Sequence, residues 1–246
     1  MHLSDIEPAS HMVQTAIVEL RQYTLHPGAR DTLIDLFDRE FVETQEACGI
    51  SVLGQFRDLD RPDRFVWLRG FSDMESRAAA LASFYGGPVW AAHRDAANAT
   101  MIDSYDVLLL RPSGAGAFGS LHPRDRPSLS AATSSASVFE ALICPVESDG
   151  LDDFAAWFGA EFAPALAAAG GETVASLVTE SSENTFPRLP VREGVSVFVT
   201  LMRMAGEDGY ERLQEVPAGA AVLAELARRT TATRLRLAPT ARSLLR

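Results

Sequence analysis

The chain has 246 residues, 47% of them apolar, and a formal net charge of −11. That length holds one large domain or two small ones, with enough apolar side chains for a full core. The acidity disfavours a nucleic-acid backbone or an anionic membrane surface as partner, no run approaches the ~20 apolar residues of a membrane helix, and Cys48 and Cys144 fit neither a disulfide framework nor a zinc site.

Residues 1–12 lack the basic start and apolar centre of a signal peptide. Ser10-His11-Met12 has the look of a cloning scar before a start at Met12, so these residues are set aside as a leader. Residues 16–25 read as a strand. Val18, Leu20 and Gln22 alternate with Ile17, Glu19, Arg21 and Tyr23. The second set puts a carboxylate, a guanidinium and a phenol in one row, as either a solvated ion-paired face or part of a site. His26-Pro27-Gly28 turns the chain. A helix is expected from Arg30 to Ala47, with Leu33, Phe37 and Phe41 as its apolar stripe and Gly49 as its stop.

A second strand, Ser51 to Arg57, places Gln55 and Arg57 on one face. A third, over 64–71, alternates Phe65, Trp67, Arg69 and Phe71 with Val66, Leu68 and Gly70. Asp73 caps a short helix reaching about Phe84. Gly86 and Gly87 permit backbone angles that other residues avoid, and Pro88 suits the first turn of a following helix. At helical spacing Trp90, His93, Ala97, Thr100 and Met101 share one face, Arg94 borders it and Asn98 points elsewhere. His93 is then either a base in a pocket or a core histidine with one satisfied nitrogen. A fourth strand covers 104–111.

Strand–helix–strand–strand–helix–strand is the split βαβ, or ferredoxin-like, plan. It predicts an antiparallel sheet in the order 4-1-3-2, covered on one side by helices. Residues 113–135 are rich in Gly, Ser, Ala and Pro and read as a flexible linker. The second half repeats the first: an offset of 121 carries Phe37 to Phe158, Phe41 to Phe162, Gly49 to Gly170 and Glu19 to Glu140. A longer loop at 181–194 then adds ten residues. Under these offsets Arg21 becomes Leu142, Tyr23 becomes Cys144 and Arg69 becomes Thr200. The expected organisation is a leader (1–12), a first ferredoxin-like unit (13–112), a linker (113–135) and a diverged second unit (136–246). The fold class is α+β, two tandem units pairing their sheets as a dimeric α+β barrel. A single site belongs mainly to the first unit.

The run Val18-Glu19-Leu20-Arg21, with Tyr23-Thr24-Leu25 and Pro27-Gly28, resembles the opening of NIPSNAP-type domains. Phe65-Val66-Trp67-Leu68-Arg69-Gly70-Phe71 and Phe84-Tyr85-Gly86-Gly87-Pro88-Val89-Trp90 are similar to later blocks of that family, and the segment from His93 to Asp103 resembles its bacterial branch. The resemblance covers ~95 residues and implies the dimeric α+β barrel superfold, whose other families include cofactor-free monooxygenases, isomerases, lyases and haem-binding enzymes.

Two functions stay open. In the first, a pocket between sheet and helices carries cofactor-independent acid–base chemistry on a small organic molecule, of isomerase, lyase, cyclase or cofactor-free oxygenase type, in the specialised metabolism of a bacterial cytoplasm. His93, Glu19 and Arg69 would be its catalytic residues. Arg21, Tyr23, Gln55, Trp67, Trp90 and Asn98 would bind the ligand. In the second, the chain is a non-catalytic ligand-binding or assembly module, with Glu19 and Arg69 as a structural ion pair. Haem ligation by His93 is a lesser alternative. The five histidines show no metal-ligand spacing, and no phosphate-binding or serine-nucleophile motif occurs. The tandem is expected to form an intramolecular pseudo-dimer, with homodimerisation left open.

Overall fold

In the computed structural model, which describes residues 15–114, 116–119, 121–130, 137–204 and 206–246, all the strands join one closed barrel. The first unit contains β1 (Ile17–Leu25), α1 (Arg30–Leu36), a π-helical turn (Phe37–Phe41), α2 (Val42–Ala47), β2 (Ser51–Asp58), β3 (Arg64–Phe71), α3 (Met74–Gly86), α4 (Pro88–Asn98) and β4 (Met101–Pro112). The second contains β5 (Val138–Pro145), α5 (Leu151–Trp157), a second π-helical turn (Phe158–Phe162), α6 (Ala163–Ala168), β6 (Glu172–Thr179), β7 (Val197–Met204), α7 (Gly209–Glu215), α8 (Pro217–Arg229) and β8 (Thr233–Pro239). The circular strand order is β1-β3-β2-β8-β5-β7-β6-β4. Each unit therefore has the expected 4-1-3-2 order. Antiparallel seams at β2–β8 and β4–β6 close one unit on the other. This is a dimeric α+β barrel folded from one chain.

Alternation decides what fills the barrel. One face of β1, β3 and β4 contributes Val18, Leu20, Val66, Leu68, Leu108 and Leu110. The second unit answers with Phe139, Ala141, Val199, Leu201, Leu235 and Leu237, and all belong to one buried cluster. An eight-stranded barrel is just wide enough for side chains to fill it, so its interior is core. The opposite faces pack under the helices in two separate apolar clusters, one per unit. A pocket in this fold belongs on the outer face, beneath helices.

The repeat extends to local geometry. The π-helical turns lie at the same offset of the duplicated sequence, Phe37–Phe41 and Phe158–Phe162. Other details differ from expectation. β4 starts at Met101, so Thr100 and Met101 lie beyond α4. Gly86 and Gly87 are not left-handed, and φ at Gly87 is −82°. The room that Gly87 leaves is modest: a Cβ there would meet the Ser83 carbonyl oxygen at 3.0 Å. Pro88 does open α4.

The linker is anchored where it is described. Phe118 is buried in the barrel cluster, and Arg126 donates to the carbonyls of Val52 (2.6 Å) and Arg242 (2.7 Å). The leader and residues 131–136 lie outside the described residues. Among the described residues no helix is long and apolar enough to cross a membrane, and both cysteines are free thiols.

Candidate functional site

The register between β1 and β3 pairs Glu19 with Arg69, Arg21 with Trp67 and Tyr23 with Phe65. The polar row of β1 and the aromatic–arginine row of β3 are thus one surface, and the helices of the first unit bury it. Glu19 is fully buried at its centre. Its Oε2 accepts from Arg21 Nη1 at 2.6 Å and from Arg69 Nε at 2.8 Å, and its Oε1 accepts from Arg77 Nε at 2.7 Å. The Nη2 atoms of Arg69 and Arg77 also sit 2.8 and 2.7 Å from Glu19 oxygens, but not in hydrogen-bonding geometry.

Burial works to raise the Glu19 pKa, but Arg69, Arg21 and Arg77 outweigh it and hold the carboxyl well below the usual range. Burial likewise works against the charge on Arg21, and Tyr23 and Glu19 more than restore it, so the guanidinium stays protonated. Burial raises the Tyr23 phenol, while Arg21 pulls it down.

Above this cluster lies a cavity of about 30 Å³. Its floor is Tyr23 and Trp67. The first π-helical turn contributes Phe37 and Phe41, α3 contributes Phe84 and Tyr85, and Trp90 and Ala97 of α4 close the far side, with Leu33, Gln45 and Met101 at the margins. The volume suits a water molecule or so, well short of the ~300 Å³ at which ligand pockets begin. The arginines stand one layer behind the lining. Arg21 Nε donates to the Tyr23 hydroxyl at 3.0 Å, and Arg69 Nη1 donates to Gln45 Oε1 at 3.2 Å and to the Tyr85 hydroxyl at 3.4 Å. The guanidinium carbons of Arg69 and Arg21 lie 5.2 and 5.7 Å from the Trp67 ring centroid, within cation–π range. The indole N–H of Trp67 has no hydrogen-bond partner among the described residues.

The second unit supplies a strap. The segment joining β6 to β7, residues 180–196, crosses onto the first unit. Asn184 Oδ1 and Thr185 Oγ1 accept from Arg77 Nη1 at 3.0 and 3.2 Å, and Thr185 Oγ1 donates to the Met74 carbonyl at 3.0 Å. Phe186 stacks on Tyr85 with centroids 6.1 Å apart. The corresponding β2–β3 connection, residues 59–63, is far shorter.

Of the residues singled out in the sequence, Glu19, Arg21, Tyr23, Trp67, Arg69 and Trp90 come together here. Gln55 is buried beside Trp67 but turns its amide to Asp38 Oδ1 at 3.4 Å, in a separate network. Asn98 is exposed. His93 is partly exposed, does not line the cavity, and faces Glu40 across 3.5 Å. Arg77, Gln45, Tyr85 and the strap were not singled out. Arg77 did leave a signal: it falls at helical spacing with Ala80, Leu81 and Phe84, the buried face of α3.

In the second unit Glu140 keeps its place and takes one partner. Arg234 Nε and Nη2 each donate at 2.6 Å, and Arg234 stacks 3.8 Å from the Tyr210 ring centroid. Leu142, Cys144 and Thr200 stand where the first unit has Arg21, Tyr23 and Arg69. Arg234 also lies 3.8 Å from Glu211 Oε1, so here one guanidinium faces two carboxylates.

Among solved structures the chain resembles a provisionally named monooxygenase of Fusobacterium nucleatum subsp. nucleatum, at 8% identity and TM-score 0.60 over 93% of this chain and 94% of that one. It also resembles one of Lactobacillus acidophilus NCFM, at 14% identity and TM-score 0.57 over 92% and 94%. An anthrone oxidase-like protein matches at 11% identity and TM-score 0.52 over 93% and 92%. At such identities these likenesses show the fold alone. No curated protein matches the sequence. The NIPSNAP family model matches residues 18–115, the first unit, which holds the cavity and all of its arginines.

Proposed function

We propose that the first unit is a small-molecule enzyme working by cofactor-independent acid–base chemistry, of isomerase, lyase or cyclase type. The observation that carries this reading is the pair of phenols lining the aromatic cavity, each accepting a hydrogen bond from a buried arginine. A phenol in that setting can give a proton to a substrate, and the arginine behind it stabilises the phenolate left behind. Tyr23 is the proton-transferring group in this scheme. Arg21 and Arg69 supply the electrostatic support, and Glu19, which touches only arginines, is a positioning residue. His93 takes no part at the cavity. A cofactor-free oxygenase is a variant of the same reading, and the names of the structural neighbours point to oxidation as the reaction class. We place the reaction in bacterial specialised metabolism in the cytoplasm, following the family resemblance.

The small cavity favours one competitor, a ligand-binding or assembly module without chemistry. The two separate on turnover. Wild-type protein and Tyr23→Phe are each incubated with a pooled small-molecule extract and followed by untargeted liquid chromatography–mass spectrometry. The enzyme reading predicts a compound consumed, with an isomeric or fragment product, by wild type and at least ~100-fold more slowly by Tyr23→Phe. Compounds that co-purify with the protein yet are never converted support the module.

A further inference from the structure

Four polar side chains line the aromatic cavity: Tyr23, Gln45, Trp67 and Tyr85. Their hydrogen-bonding capacity can be counted. Gln45 gives one Nε2–H to the Phe41 carbonyl at 3.1 Å and one Oε1 lone pair to Arg69, which leaves it one donor and one acceptor. Each tyrosine oxygen already accepts an arginine N–H, so what remains to it is its own O–H, for which no acceptor is found among the described residues. Trp67 offers an indole N–H, buried and unpartnered. The side chains therefore present more free donors, from Tyr23, Tyr85, Trp67 and Gln45, than free acceptors.

The charge behind them points the same way. Arg21, Arg69 and Arg77, each at most 2% exposed, share the single carboxylate of Glu19. Among the described residues no second carboxylate contacts the three. The cluster is left with two positive charges in excess, where buried charge is costly unless paired. The second unit has the opposite proportion, Arg234 facing both Glu140 and Glu211.

Resting on the reading of this cavity as a substrate site, we infer that its ligand is a flat organic acid bound as the anion. The ionised oxygen of a carboxylate, enolate or phenolate meets the donors of Tyr23, Tyr85 and Trp67, and the apolar body lies among Phe37, Phe41, Phe84 and Trp90. The cavity must widen to admit it. Tyr85, Trp90 and Met101 are the half-exposed lining residues, and the widening is placed there.

The test uses the full chain and 4-nitrophenol, whose ionised form absorbs in the visible. Protein is titrated into the probe about one pH unit below the probe's own pKa. An anion site makes the bound probe at least ~10-fold more acidic, one pKa unit, so the phenolate band grows. Benzoate, the carboxylate arm, reverses the change, whereas benzamide, its neutral analogue, does not. Tyr23→Phe, which keeps the ring, loses at least half of the effect, with folding checked by circular dichroism. If the probe quenches tryptophan emission while its phenolate band shrinks, the cavity prefers neutral ligands; the inference falls and the substrate-site reading stands. A growing band that Tyr23→Phe leaves untouched puts the anion elsewhere and overturns the inference. Absence of any binding by either probe overturns both readings together.

Discussion

Glu19 holds three arginines in place, and that makes it the most consequential side chain in the first unit. Removing its charge strands them in a site from which water is excluded. Glu19→Gln is expected to cost about 3–5 kcal/mol, the penalty for breaking a buried ion pair by deleting one partner, measured by urea unfolding. A loss below 1 kcal/mol would show that the arginines are solvated after all.

A second buried carboxylate behaves in the opposite sense. Burial pushes the Asp38 pKa up to about 6, against the pull of Arg242 and Arg126. Between its ordinary value near 4 and 6 the folded state binds the proton more tightly than the unfolded state. This contribution to stability is therefore fully present below pH ~4 and is lost as the pH rises through about 6. Asp38→Asn is expected to remove that fall, leaving the variant more stable than wild type at pH 7–8 by of order 1–3 kcal/mol. The comparison is thermal unfolding across pH 4–8, and a variant that keeps the wild-type slope contradicts the assignment.

At the scale of elements, much was legible. The two alternating sets on β1 and on β3 are visible in the sequence, and so is the duplicated aromatic pair of the first helix. The 4-1-3-2 order follows from the split βαβ pattern. Whether Glu19 and Arg69 share a face depended on register, which alternation alone leaves open. Helical spacing groups His93 with Trp90 and Ala97, and His93 is half-buried there with its ring 6.4 Å from that of Phe41. Ala97 faces inward, while His93 meets Glu40 at the rim. The strap was invisible for a different reason: residues 180–196 have no periodicity, and their role comes only from crossing to the other unit.

That crossing has a measurable consequence. Asn184→Ala removes one of the two strap acceptors from Arg77, and Phe186→Ala removes the stack on Tyr85. The double variant is expected to lose about 1–3 kcal/mol, the range for a hydrogen bond to a charged group. It should also speed amide hydrogen exchange at the start of α3, where Thr185 is tied to Met74. Unchanged exchange there would mean that the strap rests on the first unit without restraining it.

On the scale of the whole molecule, duplication has produced two unequal halves around one core. The first unit keeps the arginine cluster, the aromatic cavity and a short β2–β3 turn. The second has Arg234 between Glu140 and Glu211 and spends its longer β6–β7 connection on covering the first. Both complete the barrel, through seams that involve only the ends of β2 with β8 and of β4 with β6. The cavity is lined by the first unit alone, and the second unit reaches it through the strap that stacks Phe186 on Tyr85 and bonds Arg77.

The chain's three tryptophans allow the location of that site to be tested directly. Trp67 and Trp90 line the cavity, and Trp157 lies in the core of the second unit. The measurement is a two-dimensional ¹⁵N–¹H spectrum of the indole N–H groups during titration with benzoate. A shift of the Trp67 signal, with Trp90 following and Trp157 fixed, is the predicted result. Movement of Trp157 alone, or of none of the three while benzoate binds, would place the site elsewhere and contradict the account.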